Sequence, residues 1–240
     1  NLAIKFAQEA IGQDLLIGRY DRASQRLSSC VESHFRLAEL ETSLKEKRAL
    51  LKRAVEVGRK GDEYARLSGS LEEIGFVSNV LSQALYFLSE TETNVDERKR
   101  LLGEALELRE KDIEISSQLG PPNQWAWGAS RNYLALIKAD LAEMEKSDEQ
   151  KRRLLEDAVS CMEKCIAACT RYVQTVAVKP LQSDFAVLGW YHDWFGEVLD
   201  RLYAVTKDEK VINRAIEVHQ GAAQLYQKAG MPSRVAEAYW

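Results

Sequence analysis

The sequence predicts an all-α fold, a solenoid of antiparallel helix pairs with about nine long helices winding as a right-handed superhelix. Three observations predict it. First, a motif recurs. Leu50-Leu51-Lys52-Arg53-Ala54, Leu101-Leu102-Gly103-Glu104-Ala105, Leu154-Leu155-Glu156-Asp157-Ala158 and Val211-Ile212-Asn213-Arg214-Ala215 are copies, and Phe6 to Ile11 is a weaker one. Their alanines stand at 10, 54, 105, 158 and 215, a spacing of 44 to 57 residues, which is the period of a stacked repeat. Second, each full copy follows a helix-start signal: Ser43 with Glu46, Asn94 with Glu97, Ser147 with Gln150, and Thr206 with Glu209. The first residue of each pair has an oxygen for an orphan amide, and the second returns to the cap amide. Third, Pro121, Pro122, Pro180 and Pro232 all lie after one motif helix and before the next helix, where proline is tolerated.

The elements follow in order. Residues 1 to 17 read as a helix with Leu2, Phe6, Ala10, Ile11 and Leu15 on one face. Gly18 and Tyr20-Asp21 break it. A helix over about 22 to 41 carries Leu27, Val31, Phe35, Leu37, Ala38 and Leu40, and the next runs from the Ser43 cap to about Leu67. From there each repeat is a first helix, a capped turn, a second helix, and a turn marked by Pro or Gly. The first helix has its own pattern, a large residue followed by a small one: Leu71, Ile74, Gly75, Ser78; Phe185, Leu188, Gly189, His192; and, more loosely, Ala126, Ala129, Ser130, Tyr133. The small residue lets the second helix approach closely. The long period demands helices of roughly 20 to 28 residues, at 1.5 Å of rise each.

These residues resemble the tetratricopeptide-repeat superfamily, in an elongated variant, with Phe185-x-x-Leu188-Gly189-x-x-His192 as the nearest match. The resemblance covers nearly the whole chain as a pattern, although the period exceeds that family's 34 residues. It implies that first helices line a concave, partner-binding surface, by positions next to the small residue. Those are Glu72, Phe76 and Asn79 in one repeat, Trp127 and Arg131 in the next, and Trp190, Asp193 and Trp194 after that. Trp and Arg are typical anchors of such surfaces. The resemblance also implies a regulatory setting, beside a signalling ATPase or caspase-like protease domain.

Composition narrows the function classes. A net charge of -4 argues against nucleic acid as partner, and no apolar run reaches the ~18 residues of a membrane span. Cys161, Cys165 and Cys169 stand at i, i+4 and i+8 with no disulfide pattern, so a cytoplasmic location is expected. Three thiols spread over three helical turns cannot converge on one tetrahedral ion. They continue the stripe of Leu154 and Ala158, so they read as small buried hydrophobes. His34, His192 and His219 fall on separate helices outside any metal or catalytic motif. The Lys45–Lys60 stretch carries seven basic and two acidic residues, net +5, and reads as a solvated helix face.

The expected function is therefore a protein–protein interaction scaffold or sensor segment that binds a protein or peptide, with no cofactor, no metal and no enzymatic activity. The alternative is a small-molecule or peptide sensor with Trp190 and Trp194 as an aromatic pocket wall. A helical enzyme would need His192, Asp193, Asp184 and Arg131 in one cleft. The chain reads as one repeat domain, 1–240. It opens on a second-type helix, and Ala236 to Trp240 reads as the start of another first helix, so the array is expected to continue.

Overall fold

The structure is a computed structural model. It describes the backbone of residues 2–119, 124–175 and 180–238, and the side chains of 7, 9–119, 129–175 and 180–238. Among the described residues there is no strand, and the chain divides into two compact units, Asn1–Gly120 and Pro121–Trp240.

Unit 1 contains α1 (Leu2–Leu16), α2 (Tyr20–Leu40), α3 (Leu44–Ser68), α4 (Leu71–Glu90) and α5 (Val95–Gln118). Helix α2 packs on α3 and α4 on α5, as hairpins. Helix α3 joins the two hairpins through α4, α2 also touches α4, and α1 packs on α2. The recurring motif supplies the second helix of each hairpin. Leu51 and Ala54 of α3, and Leu101, Leu102 and Ala105 of α5, are all within 2% of full burial. Burying a leucine is worth about 1.5–3 kcal/mol. Like helices are also tied to like. Gln25 of α2 donates to Glu73 of α4 at 2.6 Å, and Arg59 of α3 makes a forked pair with Glu104 of α5 at 2.8 and 2.9 Å.

Unit 2 contains α6 (Gln124–Met144), α7 (Asp148–Thr175), α8 (Gln182–Thr206), α9 (Glu209–Ala229) and a short α10 (Pro232–Glu237). Here α6 packs on α7 and α8 on α9, α7 joins the hairpins through α8, and α6 touches α8. Leu155 and Ala158 of α7 and Ala215 of α9 sit in one core with Ala135, Ala139, Met162, Phe195, Val198 and Leu199. Again like is tied to like: Arg201 of α8 donates to Asp140 of α6 at 2.8 Å, and Arg214 of α9 pairs with Glu163 of α7. Helices α2 to α9 are 20 to 28 residues long, the length expected from the period.

Three of the four expected caps form. Ser43, Asn94 and Ser147 accept from the amides of Glu46, Glu97 and Gln150 at 3.4, 3.0 and 3.5 Å. The fourth stands two residues later than expected. Asp208 caps α9 by accepting from Lys210 N at 2.9 Å, while the Thr206 hydroxyl donates back to Leu202 O inside α8. A carboxylate is a stronger acceptor than a hydroxyl for the orphan amides of a helix start. The returning half of the box also differs. The amides of Ser43 and Asn94 donate to Glu41 and Glu92, at 3.1 and 3.2 Å, rather than to the glutamates inside the helix. A cap that the periodicity did not signal, Ser70, starts α4 by accepting from Glu73 N at 3.3 Å. Tyr20 and Asp21 begin α2 rather than separating it from α1. Pro180 stands just before α8, and Pro232 opens α10. Pro121 and Pro122 lie outside the described residues.

Candidate functional site

The first-helix positions divide by exposure. In unit 1, Glu72 is exposed and Phe76 is 45% exposed, both on α4. Asn79 turns inward. Its Nδ2 donates to Asp112 at 3.2 Å, its Oδ1 accepts from Gln83 at 2.6 Å, and its backbone carbonyl accepts from Arg109 at 3.0 Å. In unit 2, Trp190 keeps 37% exposure. Trp194 packs against both core clusters, its ring 6.0 Å from that of Tyr191. Arg131 is 92% buried, at 8% exposure, close enough to the Cys165 thiol to act on its charge. The side chain of Trp127 lies outside the described residues. Two large aromatics, Phe76 and Trp190, thus stay at the surface of first helices, while their neighbours hold the hairpins together.

Asp193 belongs to a polar cluster along the α8–α9 seam, and this cluster is the most chemically distinctive place in unit 2. Two glycines on α8, a heptad apart, set its geometry. A Cβ on Gly189 would lie 2.7 Å from Cε1 of Tyr226, and a Cβ on Gly196 would overlap the His219 ring. Only glycine leaves room for the two rings, which are themselves a heptad apart on α9. Between and beside those glycines stand Asp193 and Asp200. The Tyr226 hydroxyl donates to Asp193. His219 Nε2 is 3.2 Å from Asp200 and its Nδ1 is 3.9 Å from Asp193. Burial pushes the Tyr226 phenol up, and the Asp193 carboxylate adds to it. His219 is held above its ordinary value by Asp193 first and Asp200 second. Asp193 is the less exposed carboxylate, 25% against 48%, although Asp200 makes the shorter contact. Desolvation in a lower dielectric strengthens such an influence.

His192 and Asp184 of the enzyme alternative are each held by local structure. His192 is pressed against α9, where its Nδ1 would lie 3.2 Å from a Cβ on Gly221. Asp184 serves the start of α8 by accepting from Leu181 N at 2.9 Å. Arg131 is on α6. His34 is a buried structural histidine, its Nδ1 2.7 Å from Cys30 O. Cys165 and Cys169 are fully buried in a cluster with Leu188 and Tyr191. The Cys169 neighbour and burial push the Cys165 thiol far up. Both thiols are wholly buried and so closed to reagents in the folded chain. With Ellman's reagent, Cys161, the one partly exposed cysteine, is expected to label first, and Cys30, Cys165 and Cys169 only as the chain unfolds. Fast labelling of more than one thiol in the native protein would refute the burial.

A cleft of about 310 Å³ in unit 2 is walled by Ala139 and Ala142 of α6, Leu155 of α7 and Val205 of α8, with Lys151, Glu143 and Arg201 at its rim. Trp190 and Trp194 do not line it. None of the described helices is long and apolar enough to cross a membrane.

Successive hairpins in which first helices touch first helices, and second helices are bridged to second helices, define a helical repeat protein. No family model matches the chain, and no curated protein does. Among solved structures, a de novo designed helical repeat protein is 16% identical, at a TM-score of 0.41, over 88% of this chain and 96% of that one. A circular tandem repeat protein is 17% identical, at 0.40, over 98% of this chain and 55% of that one. BtubC from P. vanneervenii is 15% identical, at 0.24, over 91% and 87%. The class therefore rests on the helix pairing of the chain itself.

Proposed function

We propose that the chain is a protein–protein interaction scaffold, a tetratricopeptide-like elongated repeat, that docks a protein or peptide on the first-helix faces. The observation that carries the reading is the surface exposure of two large aromatics on first helices, Phe76 of α4 at 45% and Trp190 of α8 at 37%. Large aromatics left at a surface are the side chains most often found as binding anchors. Glu72 beside Phe76, and Asp193 one turn from Trp190, supply polar edges for orientation. No catalytic role is assigned to any residue.

The test compares wild type with Phe76→Ala and Trp190→Ala. Both side chains are partly exposed, so the variants are expected to keep the native circular dichroism spectrum at the assay temperature, with a modest fall in melting temperature from the lost buried area. A defined partner, identified by quantitative capture and then purified, is expected to bind at least one variant roughly tenfold or more weakly, the scale of an interface anchor. Undiminished binding by both variants and by the double variant would place docking elsewhere and defeat the reading.

A further inference from the structure

We propose that the α8–α9 pair of unit 2 is a pH-responsive latch: a proton on His219 fastens α9 to the carboxylates of Asp193 and Asp200, while His192, pressed against Gly221 of the same α9, has to stay neutral for α9 to seat.

The argument begins with donors. A neutral imidazole has one N–H and can serve one carboxylate; the protonated ring has two and can serve both. His219 has a carboxylate beside each ring nitrogen, Asp200 at Nε2 and Asp193 at Nδ1. The Gly196 notch holds the ring between them, because any side chain there would displace it. Removing the proton leaves the ring a single donor, for Asp200 at 3.2 Å, and ends its charge attraction to Asp193 at 3.9 Å, which keeps the Tyr226 hydroxyl. It also removes a positive charge from a row that already holds Asp193, Glu197 and Asp200 on α8, where Arg201 is the cation acting on Glu197. From α10, Arg234 and Glu237 act on Tyr226, the other partner of Asp193. From α7, Glu163 is taken up by Arg214.

His192 works in the opposite sense. Its Nδ1 is buried with no hydrogen-bond partner. A positive charge on this buried ring would lose its hydration inside the seam, which costs free energy. Burial accordingly holds His192 below its ordinary value, against smaller opposing effects from the Val218 backbone and then the Asp193 carboxylate.

The signs give a window. His219 is raised on folding, so its contribution is fully present below the unfolded value of about 6.5 and is lost as the pH rises through its folded value. His192 is lowered, so its cost is absent above about 6.5 and grows as the pH falls through that point. The two limbs meet, and the latch is tightest near pH ~6.5.

Hydrogen exchange of α9 amides in the full chain, corrected for intrinsic rates between about pH 5.5 and 8.5, tests this. Protection is expected to peak in the middle and fall on both sides, by up to tenfold for each pH unit separating the folded and unfolded titrations. His219→Gln should flatten the alkaline limb alone, and His192→Gln the acid limb alone. Asp200→Asn, at an exposed position that leaves the ring in place, should move the alkaline limb to lower pH. Flat wild-type protection overturns the proposal. So does an alkaline fall that survives His219→Gln, or an Asp200→Asn limb that coincides with that of wild type.

Discussion

Gly189→Ala is expected to lower the urea midpoint of unit 2, by a destabilisation of about 1–3 kcal/mol. The added methyl would lie 2.7 Å from Tyr226 Cε1, 2.9 Å from Cδ1 and 3.2 Å from Cζ. Tyr226 has nowhere to go. Its side chain is fully buried, and its hydroxyl is fixed on Asp193. Either the ring leaves its rotamer and breaks that bond, or α9 moves off α8. Gly103→Ala is the control. Gly103 sits in the middle of α5 with nothing within 4 Å of an added Cβ. There the change should stabilise by about 0.5–1 kcal/mol, because glycine is the costlier residue inside a helix. Denaturation of both variants, followed by helical circular dichroism, checks the pair. Equal midpoints for the two would contradict the close approach of α8 and α9.

Arg109→Ala is expected to cost unit 1 about 3–5 kcal/mol. Arg109 is wholly buried, its Nη1 3.4 Å from Asp112 and its Nη2 3.0 Å from the Asn79 carbonyl. Asp112 is itself 5% exposed, with Asn79 at 3.2 Å and Ser116 at 3.4 Å. Truncating the arginine strands a buried carboxylate away from its cation and opens a cavity. Arg109→Met refills much of the volume but leaves the carboxylate, so it should recover only part of the loss. Arg109→Met with Asp112→Leu removes both charges and should recover most of it. If Arg109→Ala shifts the midpoint by no more than a surface substitution does, the buried pair contributes nothing.

The architecture was legible because its signals are local. The alanines of the recurring motif at 54, 105, 158 and 215 are the residues on which second helices pack, each within 1% of full burial. Gly75 and Gly189 are where the partner helix comes near, against Ile115 and Tyr226. The Thr206 cap was misplaced by two residues because two polar residues compete there, and the carboxylate of Asp208 prevails. The α8–α9 cluster was not assembled from the sequence, because Asp193 and Tyr226 are 33 residues apart and meet only by helix pairing. A signal was present nonetheless. Gly189 and Gly196, Asp193 and Asp200, and His219 and Tyr226 are three pairs with one spacing of seven, which is what two helices facing each other in register require. Exposure was the least legible property. Nothing in the spacing separates Trp190, which stays at the surface, from Trp194, which packs inward four residues later.

The turn between α4 and α5 is more than a connector. Glu92 accepts from the amides of Thr93 and Asn94 and pairs with Arg48 of α3. One carboxylate thus ties the exit of α4, the entry of α5 and the side of α3. In mechanical terms it is a pinned joint. A pull along the chain at this turn would not peel one helix at a time. It would load three helices together, so the hairpin should yield as a block, with this corner as the place where force is shared.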